Sequence, residues 1–114
     1  MKTLFIDIDG TLFKHNGSFS DIALKEATLL PEVRERMDEW CSKEYKIILT
    51  TARRESLRAR TESELARLGI PYDVLVMGIS KGHRVVINDR RPNGDKTAFA
   101  INIGRDHGLE GIDL

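Results

Sequence analysis

The sequence predicts an α/β fold: a parallel sheet of about five strands in a three-layer α/β/α arrangement, forming one domain over residues 1–114. Three observations carry that expectation. Short apolar runs alternate with stretches of helical period, the pattern of parallel strands joined by right-handed helical crossovers. The chain is long enough for one real core and too short for two. Polar residues gather at the ends of several apolar runs, where open parallel sheets bind their ligands.

The elements follow in order. Leu4-Phe5-Ile6 reads as a strand buried on both faces. It should stop at Gly10, where the backbone can turn at little steric cost. Residues 13–30 are mixed, with a turn around Asn16-Gly17, and suit a small hairpin or flap. Pro31 fits the first turn of a helix, and Val33, Met37, Trp40 and Cys41 follow at helical spacing as a core stripe. Tyr45 to Thr50 is a second buried strand. A helix from Glu55 to Leu68 carries Leu57, Thr61, Leu65 and Leu68 on one face and ends at Gly69, with Pro71 just beyond. Asp73 to Met77 is a third strand, stopped by Gly78. Arg84 to Ile87 is a fourth, ending at Asn88-Asp89, and Ala98 to Ile103 a fifth. There is no internal repeat, low-complexity tract or linker.

Composition narrows the function classes. The 18 lysines and arginines balance 18 aspartates and glutamates, so no basic field points to nucleic acid. Cys41 is the one cysteine, which rules out an internal disulfide and a cysteine-rich zinc site. No apolar run approaches transmembrane length and the N-terminus lacks a signal peptide's features, so a soluble cytoplasmic protein is expected.

The chemistry sits at the strand ends. Asp7 and Asp9 lie two residues apart, so an extended backbone aims both carboxylates the same way. Thr50 and Thr51 close the second strand, Asn88 and Asp89 the fourth, and Lys81 stands just before the fourth. Carboxylates gathered without thiolates or clustered histidines favour a hard cation such as Mg²⁺. An added hydroxyl and ammonium suit the oxygens of a transferring phosphoryl group. One aspartate can attack phosphorus and a neighbouring carboxylic acid can move protons. Taken singly, each feature has a plainer reading: Asp-x-Asp-Gly as a turn, Thr51 or Asn88-Asp89 as helix caps.

Together and in this order, these residues resemble the haloacid dehalogenase (HAD) superfamily of phosphohydrolases, over nearly the whole chain. Asp7-Ile8-Asp9-Gly10-Thr11 matches its first motif, hhhDxDGT, and Thr51-Ala52-Arg53 is similar to its second, commonly Thr-Gly-Arg. Lys81 fits the basic third motif, with Arg84 as the alternative; Thr50 is the alternative to Thr51. Asn88-Asp89 fits the acidic fourth motif but departs from it by carrying asparagine in place of an acid. The resemblance implies a Rossmann-like, HAD-like fold, with Asp7 as nucleophile and metal ligand and Asp9 as general acid/base. It implies that Gly10, Thr11, Thr51 and Lys81 hold the phosphoryl group. It implies a Mg²⁺ site from Asp7, Asp9 (through its backbone carbonyl) and Asp89; Asp95 is a remote candidate for a carboxylate behind those ligands. The implied activity is Mg²⁺-dependent hydrolysis of a phosphomonoester through an aspartyl-phosphate. The alternative is a weak or inactive HAD-like domain that binds phosphate or regulates a partner. A phosphorylation-receiver domain fits less well, because its acidic pair and phosphorylated aspartate occupy different strands.

Spacing bears on the substrate. Only 39 residues separate Thr11 from Thr51, and 29 separate Thr51 from Lys81, which leaves no room for the cap domain many members carry. The site should be open unless a second subunit covers it. The expected partner is therefore a small phosphorylated substrate, with a homo-oligomer as one option, and neither nucleic acid nor membrane. Gly69 to Asp73 and Ile87 to Pro92 resemble capless HAD proteins found beside bacterial surface-polysaccharide enzymes, which points toward sugar phosphates. Arg53-Arg54 and Arg90-Arg91 could grip a second anionic group; a solvated rim balanced by Glu55, Glu62 and Glu64 is the favoured reading of each. His15, His83 and His107 read as loop or tail residues.

Overall fold

The computed structural model describes the backbone of residues 1–114 and the side chains of all but Phe19 and Ser20. Three strands form: β1 (Thr3–Asp7), β2 (Lys46–Thr50) and β3 (Val74–Val76). They pair in parallel in the order β1-β2-β3. The register places Phe5, Ile48 and Val74 in one row across the sheet and Asp7, Thr50 and Val76 in another, two residues further on. Asp7 thus closes β1 beside the last residues of its neighbours.

Two longer helices follow the expected segments. α2 (Val33–Ser42) buries Val33, Met37 and Trp40, whereas Cys41 lies exposed outside that stripe. A 3₁₀ turn at Glu55–Leu57 leads into α3 (Arg58–Arg67), which buries Thr61, Glu64 and Leu65. Between β1 and α2 lies a short α1 (Phe19–Leu24), where a hairpin or flap was expected. Ser18 caps it: its hydroxyl accepts from the Asp21 amide while the Asp21 carboxylate accepts from the Ser18 amide.

Leu4, Ile6, Ile47, Leu49 and Leu75 from the sheet join Val33, Met37, Trp40 and Leu65 from the helices in one core. Crossovers of one hand between strands taken in order lay both helices on the same face. Among the described residues, no helix lies on the other face. Phe5 is accordingly 63 % exposed, with Val74 and Val76 exposed beside it. This corrects two expectations: β1 is not buried on both faces, and the third layer of the α/β/α arrangement is not formed.

The fourth and fifth strands are not formed either. Residues 84–87 and 98–103 lie outside any ladder, and Ile87 is 94 % exposed and Phe99 78 %. An apolar run becomes a strand only where a neighbour takes its amides and carbonyls, and among the described residues no strand lies beside these two. Residues 80–102 instead form an arm that folds back at its tip, where the Gly94 amide donates to the Arg91 carbonyl (2.8 Å) and the Arg91 amide to the Asp95 carbonyl (3.0 Å). Both roots of the arm are fixed. The Gly78 and Ile79 amides donate to the carbonyls of Arg53 (2.8 Å) and Thr51 (3.2 Å). The Asp106 amide donates to the Gly10 carbonyl (2.9 Å), and the Asp106 carboxylate accepts from the His15 amide (2.8 Å). The molecule is elongated, 50 × 28 × 24 Å.

The tail after the arm closes the core's lower end. Leu109 is buried and its amide donates to the Pro31 carbonyl (3.1 Å) just ahead of α2. Gly108 makes that approach possible: its φ is +81°, and a Cβ there would stand 2.4 Å from the Pro31 oxygen. No helix among the described residues is long and apolar enough to cross a membrane.

Candidate active site

The chain turns sharply after β1 because Ile8 is fully buried and its carbonyl accepts three amides in succession, from Thr11, Leu12 and Phe13 (3.1, 2.9 and 3.0 Å). The turn needs Gly10, whose φ is +88°. It drives Leu12 and Phe13 into the core and leaves Asp7 and Asp9 on either side of Ile8 at the carboxyl end of the sheet.

Asp7 is half-buried, and burial raises its pKa above the ordinary carboxylate value. The charge of Asp9 pushes the same way. The Ile8 amide, the Arg84 charge and the Thr11 hydroxyl, 3.5 Å from Oδ2, pull it back. Thr11 therefore touches Asp7, as its place in the loop implies.

Asp9 is held differently. Arg53 grips it with two parallel hydrogen bonds, Nε to Oδ2 at 2.9 Å and Nη2 to Oδ1 at 2.8 Å. The same guanidinium donates from Nη1 to Glu64 Oε1 (2.7 Å) and Thr61 Oγ1 (3.0 Å) on α3, and lies over the Phe13 ring at 5.7 Å. Arg53 is 2 % exposed, so burial works against its charge; its bonds to Asp9 and Glu64 outweigh that and hold it firmly protonated. The solvated-rim reading is thus corrected for Arg53, and for Glu64, which is buried with it; Arg54 is exposed. A clue lay in the sequence. Glu64 falls on the apolar stripe of α3 between Thr61 and Leu65, and a carboxylate in a buried stripe calls for a cation.

Thr51 is buried and its hydroxyl accepts the Arg53 amide at 3.0 Å, which shapes the loop that delivers Arg53. Thr50 is the half-buried hydroxyl in register with Asp7. Arg84 is near enough for its charge to act on Asp7. Lys81, Asn88, Asp89 and Asp95 are all exposed on the arm. Among the described residues no three His, Cys, Asp or Glu side chains gather closely enough to hold a metal, so Asp89 does not join Asp7 and Asp9 within one chain.

No protein-family model matches the chain, and no curated protein does. Solved structures do. The chain is similar to one in the Pnkp1/Rnl/Hen1 complex, with TM-score 0.60 and 31% identity over 74% of this chain and 30% of that one. It is similar to one in the Pnkp1/Rnl/Hen1 RNA repair complex, with TM-score 0.59 and 32% identity over 73% of this chain and 27% of that one. It thus spans less than a third of either. A structural-genomics target from Vibrio cholerae shares the fold, with TM-score 0.54 and 23% identity over 78% of this chain and 80% of that one. What fold and site define together is a small α/β domain, its parallel sheet presenting paired aspartates at one end.

Proposed function

We propose that the chain is a cytoplasmic, HAD-like phosphoric monoester hydrolase. The observation that carries this reading is the aspartate pair at the end of β1, with Asp7 half-buried and Asp9 clamped by Arg53. Asp7 attacks phosphorus, forming an aspartyl-phosphate as the bond to the leaving oxygen breaks. Asp9 gives that oxygen a proton, then takes one from a water molecule. The water attacks phosphorus, the Asp7–phosphate bond breaks, and the carboxylate is restored. The clamp contributes positioning to this division of labour. A bidentate guanidinium fixes the Asp9 carboxyl plane, while each of its oxygens keeps a lone pair for the proton.

The donor set on β1 suits a hard cation. With the Arg53 cation seated on the Asp9 carboxylate, the Asp7 carboxylate and the Asp9 backbone carbonyl are the donors better suited to Mg²⁺, with Asp89 as a third. Bound there, Mg²⁺ would offset the charge of the transferring group. Thr11, Thr50 or Thr51, and Arg84 or Lys81, are the phosphoryl-binding candidates.

Hydrolysis of p-nitrophenyl phosphate should require Mg²⁺ and vanish in Asp7→Asn; equal activity in that variant would overturn the reading. A substrate panel then fixes the class. Sugar phosphates come from the sequence resemblance, and polynucleotide phosphate ends from the likeness to chains of an RNA repair complex. The exposed positions of Lys81 and Asp89 favour one second reading, a phosphate-binding domain without turnover. Mg²⁺-dependent binding with no hydrolysis across the panel would select it.

A further inference from the structure

The tail returns to the aspartate loop as a tight turn over residues 104–107, closed by the His107 amide donating to the Gly104 carbonyl (3.1 Å). Asp106 holds that turn against the loop through two bonds to residues far from it in sequence. Its amide donates to the Gly10 carbonyl (2.9 Å), and its carboxylate accepts from the His15 amide (2.8 Å). Asp106 makes both from a left-handed backbone, φ +64°, which strains an aspartate where a glycine would be at ease. What the turn delivers is Arg105. A Cβ on Gly10 would stand 3.3 Å from Arg105 Cγ and 3.8 Å from His15 Cβ and Cδ2. Both side chains therefore lie against the glycine that follows Asp9.

Both have donors to spare. Among the described residues Arg105 makes neither a hydrogen bond nor an ion pair, and it is exposed. The turn's own carboxylate, Asp106, faces the His15 amide. His15 Nδ1 accepts from the Gly17 amide (3.2 Å), which in the neutral ring leaves the proton, and so a donor, on Nε2. The arginine pairs that stand out in the sequence are placed otherwise: Arg53 is spent on Asp9 and Glu64, and Arg90 and Arg91 are on the arm. We propose that Arg105 and His15 form a subsite for a second phosphate, carried on the leaving group of the substrate.

This deepens the phosphomonoesterase reading and rests on it. In that reading Asp9 serves the leaving oxygen, so what borders Gly10 borders the leaving group rather than the phosphoryl that Asp7 attacks. The two ends of the substrate then meet different cations. Arg84 acts on Asp7 from the arm, and Arg105 stands over the loop from the tail. A guanidinium beside an imidazole N–H takes a phosphate dianion through charge-assisted bonds.

Steady-state hydrolysis of two substrate pairs tests the subsite: fructose 6-phosphate against fructose 1,6-bisphosphate, and adenosine 5′-phosphate against adenosine 3′,5′-bisphosphate. The wild type should prefer the bisphosphate of at least one pair by about tenfold or more in kcat/KM, expressed in KM, as one charge-assisted contact provides. The pair that shows it distinguishes a sugar from a nucleotide leaving group. Arg105→Met keeps the stem over Gly10 and should remove most of that preference, and Arg105→Lys should restore part of it. Arg105→Gln repeats the test where the methionine variant does not fold. No preference in the wild type, or a loss in these variants shared equally by both members of a pair, overturns the subsite. An inactive wild type overturns the phosphomonoesterase reading instead. Titration calorimetry then decides the subsite alone: the bisphosphate should still bind more tightly than the monophosphate and lose that margin in Arg105→Met, and equal binding overturns it.

Discussion

Replacing Arg53 with methionine tests the clamp at its centre. The change keeps an unbranched apolar stem and removes three charge-assisted hydrogen bonds, two to Asp9 and one to Glu64, with a fourth bond to Thr61. Stranding a buried ionic partner costs about 3–5 kcal/mol. The lower end applies, because the Asp9 side chain is 16 % exposed and water can take over part of its solvation, whereas Glu64, at 7 %, has little such recourse. Against a total stability of about 5–15 kcal/mol, a loss of roughly 3 kcal/mol is large. With a urea slope near 1.5 kcal/mol/M it lowers the unfolding midpoint by about 2 M. Trp40, the one tryptophan and fully buried beneath the sheet, reports the transition by fluorescence. Adding Glu64→Gln to Arg53→Met should recover part of the loss, a coupling above about 1 kcal/mol in a double-mutant cycle. A cost below about 1 kcal/mol for Arg53→Met, or strict additivity, would refute the clamp.

Further outcomes follow from the same geometry. Burial raises the Asp7 pKa, so the folded state holds that proton more tightly than the unfolded chain and stability falls as pH rises through the folded value. Asp7→Asn should therefore melt higher than wild type at pH 7, with the advantage gone once pH drops to the unfolded value near 3.8; calorimetry across pH checks it. If Asp7 attacks as the carboxylate, the acid limb of hydrolysis should lie above that ordinary value, visible in a pH–rate profile. Gly108→Ala meets the Pro31 oxygen and adopts a left-handed φ, so it should cost well over 1 kcal/mol, whereas Gly111→Ala, at a φ of +76° with open space around it, should cost only about 1 kcal/mol. Equal urea midpoints for the two variants would contradict the tail packing.

The sequence was legible wherever a local period coincided with its tertiary use. Val33, Met37 and Trp40 are spaced for one helical face, and that face is the one buried. The strands at 46–50 and 74–76 have neighbours to pair with, and the helix through Thr61 and Leu65 sits where its stripe put it. Val85 to Ile87 has the same strand-forming composition, yet propensity cannot state whether a ladder will be available, and here none is. Phe5 misled for a related reason: a run of three apolar residues does not say whether both faces are covered. The paired aspartates were legible because they flank one residue, Ile8, at the end of an apolar run, although β1 stops at Asp7 and the turn places Asp9. Arg53 was not, because adjacent arginines are indistinguishable in sequence, and only the position of Glu64 on a buried stripe separates the one inside from the one outside.

The two amides that anchor the arm have a consequence for control. Gly78 and Ile79 are bonded to the carbonyls of Arg53 and Thr51, so one short backbone segment serves both the arm's root and the guanidinium that orients Asp9. Whatever immobilises the arm therefore also stiffens the seat of the Asp9 carboxylate. Binding free energies obey reciprocity: a ligand that tightens this segment is itself held more tightly, by the same factor, when the arm is immobilised.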